Sequence, residues 1–130
     1  MDYQEFFIEF GRLLYAIAKS DGKVQKPELE KIRQIVKEQL TKMDDSSDAF
    51  GTPAAFYLEF EFERLLDFEV KIRDAYDSFL GFATENKAFF TADIKKLVIN
   101  TSEKVAYAFN GVEDAEQALL NSLKRHLQNL

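Results

Sequence analysis

Leu58-Glu59-Phe60-Glu61-Phe62-Glu63 is the stretch on which the fold class turns, because its apolar and acidic residues alternate as they would on a half-buried strand. Widening the window changes the reading. Leu58, Phe62, Leu65 and Leu66 also fall at steps of three and four, the spacing of one helical face. No second strand-like run lies nearby to pair with this one, and an isolated strand is not stable in water. A helix is therefore expected, at the cost of several phenylalanines that one buried face cannot hold.

Helical periodicity extends outward on both sides. Tyr3 to Lys19 places Phe6, Phe10, Leu13, Leu14 and Ile17 on one buried stripe, and Ser20-Asp21-Gly22 supplies a stop, since Gly22 tolerates the left-handed conformation that ends helices. A second helix is expected from Pro27, where proline costs no hydrogen bond. Glu28 and Glu30 favour its positive end, and Leu29, Ile32, Val36 and Leu40 line its inner face. Residues 43–53, polar, acidic and rich in turn formers, read as a surface loop. Beyond the ambiguous stretch, a helix from Val70 to Thr84 turns Ile72, Tyr76, Phe79, Leu80 and Ala83 inward and stops near Asn86. Another begins after Thr91 as N-cap and carries Ile94, Leu97, Val98, Val105 and Phe109 up to Asn110-Gly111. The last presents Leu119, Leu120, Leu123 and Leu127. The expected fold is all-α: a compact bundle of about six helices in a single domain over residues 1–130.

Composition narrows the function. Seventeen basic against twenty-three acidic residues give a net charge of -6, with no strong basic cluster, which argues against nucleic acid as a partner. Cysteine is absent, so disulfides, thiolate metal sites and cysteine nucleophiles are excluded. Met1-Asp2-Tyr3-Gln4-Glu5 lacks the basic and apolar regions of a signal peptide, and no apolar run approaches the ~18 residues of a membrane span, so a cytoplasmic protein without membrane insertion is expected. The single histidine, His126, reads as a surface residue near a helix end, and no serine has an evident partner base. No enzyme constellation emerges and no cofactor is expected beyond a weak divalent cation.

Two stretches carry sharper chemistry. Asp21-Gly22-Lys23-Val24-Gln25-Lys26-Pro27-Glu28 matches the second half of an EF-hand loop, with Asp21 at its fifth position and Glu28 at its twelfth. Ile17 and Lys19 would then occupy the first and third, and neither coordinates calcium, so a standard high-affinity site is excluded. A weaker, irregular cation site remains open beside the simpler reading, in which Asp21 and Gly22 make a turn and Glu28 neutralises a helix start. The second stretch is aromatic: Phe56, Tyr57, Phe60 and Phe62 cannot all face one core from one helix. Either both sides of that helix are buried, or an exposed patch binds a protein partner or a second copy of the chain. The carboxylates Glu59, Glu61, Glu63, Asp67 and Glu69 leave a rival reading open, a metal-dependent accessory or hydrolytic protein. Glu59, Glu63 and Asp67 would share one helical face, without the Glu-x-x-His pairs of di-metal bundles.

The run L-L-x-A-I-A-K-x-D-G followed by V-x-x-x-E, carried by Leu13, Leu14, Ala16, Ala18, Asp21, Gly22, Val24, Glu28 and Ile32, resembles the tellurite-resistance TerB family and the amino-terminal region of certain membrane-anchored DnaJ-like co-chaperones. It covers about a quarter of the chain. The resemblance implies a small helical domain of two related halves. Ala106 to Glu116 echoes the motif, with Asn110 in place of the aspartate and one residue fewer in the loop. It further implies a stress-response or interaction module, alone or recruited to a membrane complex, with a cation-binding acidic patch to which Asp21, Glu28 and, more weakly, Glu116 would contribute.

Overall fold

The computed structural model describes residues 3–20, 29–41, 52–108 and 114–130. Among them are six α-helices, a single 3-10 turn and no strand: α1 (Tyr3–Lys19), α2 (Leu29–Thr41), α3 (Thr52–Phe68), α4 (Ile72–Glu85), the turn Lys87–Phe89, α5 (Ala92–Ala108) and α6 (Asp114–Gln128). The all-α expectation holds, and the alternating stretch Leu58 to Glu63 is helical within α3. Thr52 and Pro53, expected at the end of a loop, instead open α3. Proline fits there because its missing N–H would have had no partner in the first turn. None of the described helices is long and apolar enough to cross a membrane.

Helix α1 organises the rest. A single inward stripe was expected of it, yet Phe6, Phe7, Phe10, Gly11 and the whole run Leu13 to Ala18 are buried. The correction has a simple cause: α1 touches α3, α4, α5 and α6, so its sides are covered by different neighbours. A helix with protein on several sides is apolar nearly all round. The small residues Gly11, Ala16 and Ala18 let those neighbours come close.

Closest of all is α3. A Cβ built on Gly11 would stand 2.6 Å from the Leu58 carbonyl oxygen and 3.3 Å from the Glu61 Cβ. Only glycine permits this crossing, since the obstructing atom belongs to helical backbone. The N-terminal half of α1 gathers the aromatic core instead. Phe6 lies 4.9 Å from Phe7, 5.0 Å from Phe89 and 5.9 Å from Phe90 between ring centroids, and Phe90 reaches Phe79 and Phe82 at 6.0 Å each. The unanticipated 3-10 turn delivers Phe89 and Phe90 to this cluster. It follows Asn86, whose Nδ2 donates to the Phe82 carbonyl at 2.8 Å. Thr91 caps α5 as expected, its Oγ1 accepting from the Ile94 N–H at 3.3 Å.

Helix α3 ends in a Schellman arrangement. The Glu69 N–H donates to Leu66 O at 3.3 Å and the Val70 N–H to Leu65 O at 3.2 Å, with Glu69 at φ 50° where glycine is usual. Next to it, the Tyr15 hydroxyl donates to Val70 O at 2.6 Å. Burial first, and then the Glu69 charge, push the Tyr15 phenol above its ordinary pKa, so it stays a donor.

Two substitutions test these joints by chemical denaturation. Gly11→Ala should cost roughly 2–3 kcal/mol, because the α1–α3 crossing must open. Glu69→Gly should add up to about 1 kcal/mol by removing the left-handed penalty of a residue with a Cβ.

Candidate functional site

The rotation of α3 decides which of its side chains can meet a partner. At ~100° per residue, Leu58, Glu61, Phe62 and Leu65 share the arc pressed on α1, and all four are buried. The opposite arc carries two rows at steps of four. One is aromatic, Phe56 and Phe60, and the same step-of-four line turns about 40° per step through Arg64 to Phe68, which stands about 120° round from Phe56; the other is acidic, Glu59, Glu63 and Asp67, about 60° around the helix from the aromatic pair.

Phe56 and Phe60 are each 57% exposed and Phe68 is 71% exposed. The rings of Phe56 and Phe60 stack on each other at 5.9 Å with an interplanar angle of 27°. Tyr57 meets Phe56 edge-on at 6.0 Å and is half-buried, while Phe62 lies wholly in the core, 6.0 Å from Tyr15. The four aromatic candidates thus divide: Phe56 and Phe60 form a surface patch, Tyr57 sits at its edge, and Phe62 forms part of the floor beneath it. The reading in which both sides of this helix are buried does not hold.

Where α2 approaches α3, the patch borders a pocket of about 150 Å³ lined by Ile32, Arg33, Phe56, Glu59, Phe60, Phe62 and Glu63. Arg33 crosses its rim, with Nε donating to Glu59 at 3.0 Å and Nη1 to Glu30 at 2.9 Å. A second concavity, about 530 Å³ between α4 and α6, is roomier. Its Ile72, Leu80 and Leu119 are already half-buried, and the Tyr76 hydroxyl donates to Leu119 O at 3.3 Å. It offers no comparable exposed aromatic surface.

The carboxylates considered for metal chemistry are split by the same rotation. Glu59 pairs with Arg33 on the open face, Glu63 and Asp67 are exposed there, Glu69 lies past the helix end, and Glu61 points inward. No group of three His, Cys, Asp or Glu among the described residues could hold a metal ion. Asp21 and Glu28 lie outside the described residues, as does the side chain of Glu116, although its backbone belongs to α6. His126 is half-buried, its Nε2 3.0 Å from the Thr84 hydroxyl, which itself donates to Leu80 O.

Glu61 anchors a network that composition did not reveal. Its Oε2 accepts from Arg12 Nε at 2.7 Å and Arg64 Nη2 at 2.9 Å, and its Oε1 from Arg64 Nε at 2.8 Å. Arg12 Nη1 also donates to Glu9 at 3.0 Å and to the Ser78 hydroxyl at 2.9 Å, and that hydroxyl donates to Glu9 Oε1 at 2.8 Å. Two carboxylates meet two guanidiniums, so the formal charges cancel. Burial alone raises the Glu61 pKa, but the hydrogen bonds from Arg64 and Arg12 and their charges outweigh it, and the net shift is downward. With three bonds taken, this carboxylate ties α3 to α1, and Arg12 and Glu9 extend the network to Ser78 of α4. Its arginine also reaches the open face: the Arg64 guanidinium carbon lies 6.0 Å from the centre of the Phe68 ring.

Comparison with known proteins adds no relative, since the chain matches no family model, no curated protein and no solved structure.

Acid titration of stability reads the network directly. The folded Glu61 carboxyl is more acidic than the unfolded one, so its contribution is complete above the unfolded value near ~4.3 and is lost as pH falls through the lower folded value. Glu61→Gln should cost about 1–3 kcal/mol at neutral pH, and its gap from the parent chain should narrow once pH drops below roughly 4.

Proposed function

We propose that this chain is a non-catalytic, TerB-like interaction module of the cytoplasm that grips a protein partner with the open face of α3. One observation carries the reading. Phe56 and Phe60 are stacked on each other in the open, beside a pocket floored by Ile32 and Phe62. Large aromatics exposed as a contiguous patch leave apolar area in contact with water, and a partner removes that cost.

Magnitudes set the kind of contact. Each ring, 57% exposed, presents on the order of 100 Å². Burying both is worth about 5 kcal/mol at ~25 cal/mol per Å². Association costs about 4–15 kcal/mol, so the patch supports a modest, reversible contact that needs further help from its rim. Stable dimers bury roughly 1,200–2,000 Å², well beyond what these rings expose.

The TerB-like character rests on the motif around Asp21 and Gly22, and with it comes the stress-response setting. The cation-responsive patch belongs to that resemblance alone. Glu61 supports a structural part for the buried carboxylate, because both of its oxygens are occupied by arginines.

The test is quantitative affinity purification from the chain's own cells, comparing the parent protein, Phe56→Ser/Phe60→Ser, and Tyr107→Ser as an exposed control elsewhere. A partner kept by the parent and the control and reduced roughly tenfold or more by the double variant supports the reading, with melting temperatures shown to be unchanged. Partners retained by the double variant, or turnover of a substrate by the purified chain, would overturn it.

A further inference from the structure

We infer that the occupant of the α3 face is a basic amphipathic helix of a partner protein, laid along the aromatic row with its lysines or arginines against Glu59, Glu63 and Asp67. This rests on the reading of that face as a protein-docking surface and adds the chemistry of what docks.

Geometry selects a helix. Phe56 and Phe60 stand one turn apart, about 6 Å along α3, and the acidic row Glu59, Glu63 and Asp67 runs beside them. A short aromatic ridge beside a groove between two helices is matched by a helix whose apolar anchors recur at three- and four-residue steps. The pocket of about 150 Å³ between Ile32, Phe60 and Phe62 takes one anchor side chain at the α2 end. Toward the α4 end, Arg64 interrupts the line and Phe68 is turned about 120° from Phe56, which concentrates the apolar contact of this face on Phe56 and Phe60.

Charge selects the sign. The rim offers Glu30, Glu59, Glu63 and Asp67; on the α2 side Arg33 bonds Glu30 and Glu59, and Lys37, one turn further along, is the other described cation of that face and is itself engaged, so the acids still outnumber the cations. Beyond the aromatic row, Arg64 is held by Glu61. The surplus is therefore acidic, on a chain that is itself at -6. A second copy fits less well. Antiparallel two-fold pairing of α3 would set acidic row beside acidic row, and the aromatic area falls short of a stable dimer's requirement.

Fluorescence anisotropy with the whole chain tests this, using three labelled synthetic helices of about sixteen residues, roughly four turns. They share leucine anchors and differ only in flanks of lysine, glutamine or glutamate. The lysine helix should bind at least about tenfold more tightly than the glutamate helix, and the margin should shrink between about 50 and 300 mM salt. Glu63→Gln/Asp67→Asn, which spares the Arg33 pair, should erase most of that preference, and Phe56→Ser/Phe60→Ser should remove binding of all three helices. Equal affinity for the three helices, lost in the phenylalanine variant, overturns the inference and leaves the docking surface standing. The inference also fails if the parent chain binds none of them, and the docking reading falls with it only if the cellular partner survives Phe56→Ser/Phe60→Ser as well. Light scattering that shows Phe60-dependent dimers overturns it in favour of a second copy.

Discussion

The close approach of Gly11 to the Leu58 carbonyl fixes how α1 and α3 cross, and α4, α5 and α6 pack on α1 around that crossing. With no room for a methyl group between the backbones of α1 and α3, the two helices lock at one crossing point and neither can rotate without a clash. One turn away, the Arg12–Glu61 pair at 2.7 Å fixes the same crossing with charge. A buried carboxylate is expensive unless fully paired. Once Arg64 and Arg12 satisfy it, any other rotation of α3 would strand it, so the pair penalises alternative packings of α3.

From that locked rotation the open face of α3 follows. Pressing Leu58, Phe62 and Leu65 onto α1 commits the opposite arc to Phe56 and Phe60, and α2 borders it on the side nearest Arg33. The exposed rings are therefore a geometric consequence of the core. Thirteen phenylalanines make the same point by contrast: Phe6, Phe7, Phe10, Phe62, Phe79, Phe82 and Phe90 are all buried, so the chain places such rings inside where its helices allow.

Periodicity made most of the fold legible. Tyr3 to Lys19 and the Thr91 cap stand where spacing and capping chemistry put them, because both signals are local. The all-round burial of α1 was not legible from a stripe, since it depends on how many neighbours converge. Glu61 shows a different failure. Leu58, Glu61, Phe62 and Leu65 stand at three- and four-residue steps, so Glu61 lay on the apolar face all along; its charge made it look like a surface residue. Only a long-range partner, Arg12 forty-nine positions away, explains a carboxylate there. The aromatic candidates were visible as a surplus, but their division into Phe56 and Phe60 outside and Phe62 inside needed the rotation of α3. The 3-10 turn had no signal, being held by the aromatic cluster that it completes.

The same joints determine how the open face would behave toward a ligand. Helix α3 is held near its middle by Glu61 and just past its end by the Tyr15 hydroxyl on Val70 O, and its left-handed Glu69 is a strained residue that the surroundings keep in place. A helix fixed at these points presents Phe56 and Phe60 on a backbone that has little left to order. Binding then spends its free energy on translation, rotation and a few side-chain rotamers. That distinction matters for two rings worth only about 5 kcal/mol together, because a face that first had to organise itself would have nothing left over. Strain at Glu69 and a buried ion pair at Glu61 look like costs to the fold, yet both lie in the joints that set the rotation of α3 and with it the place of Phe56 and Phe60.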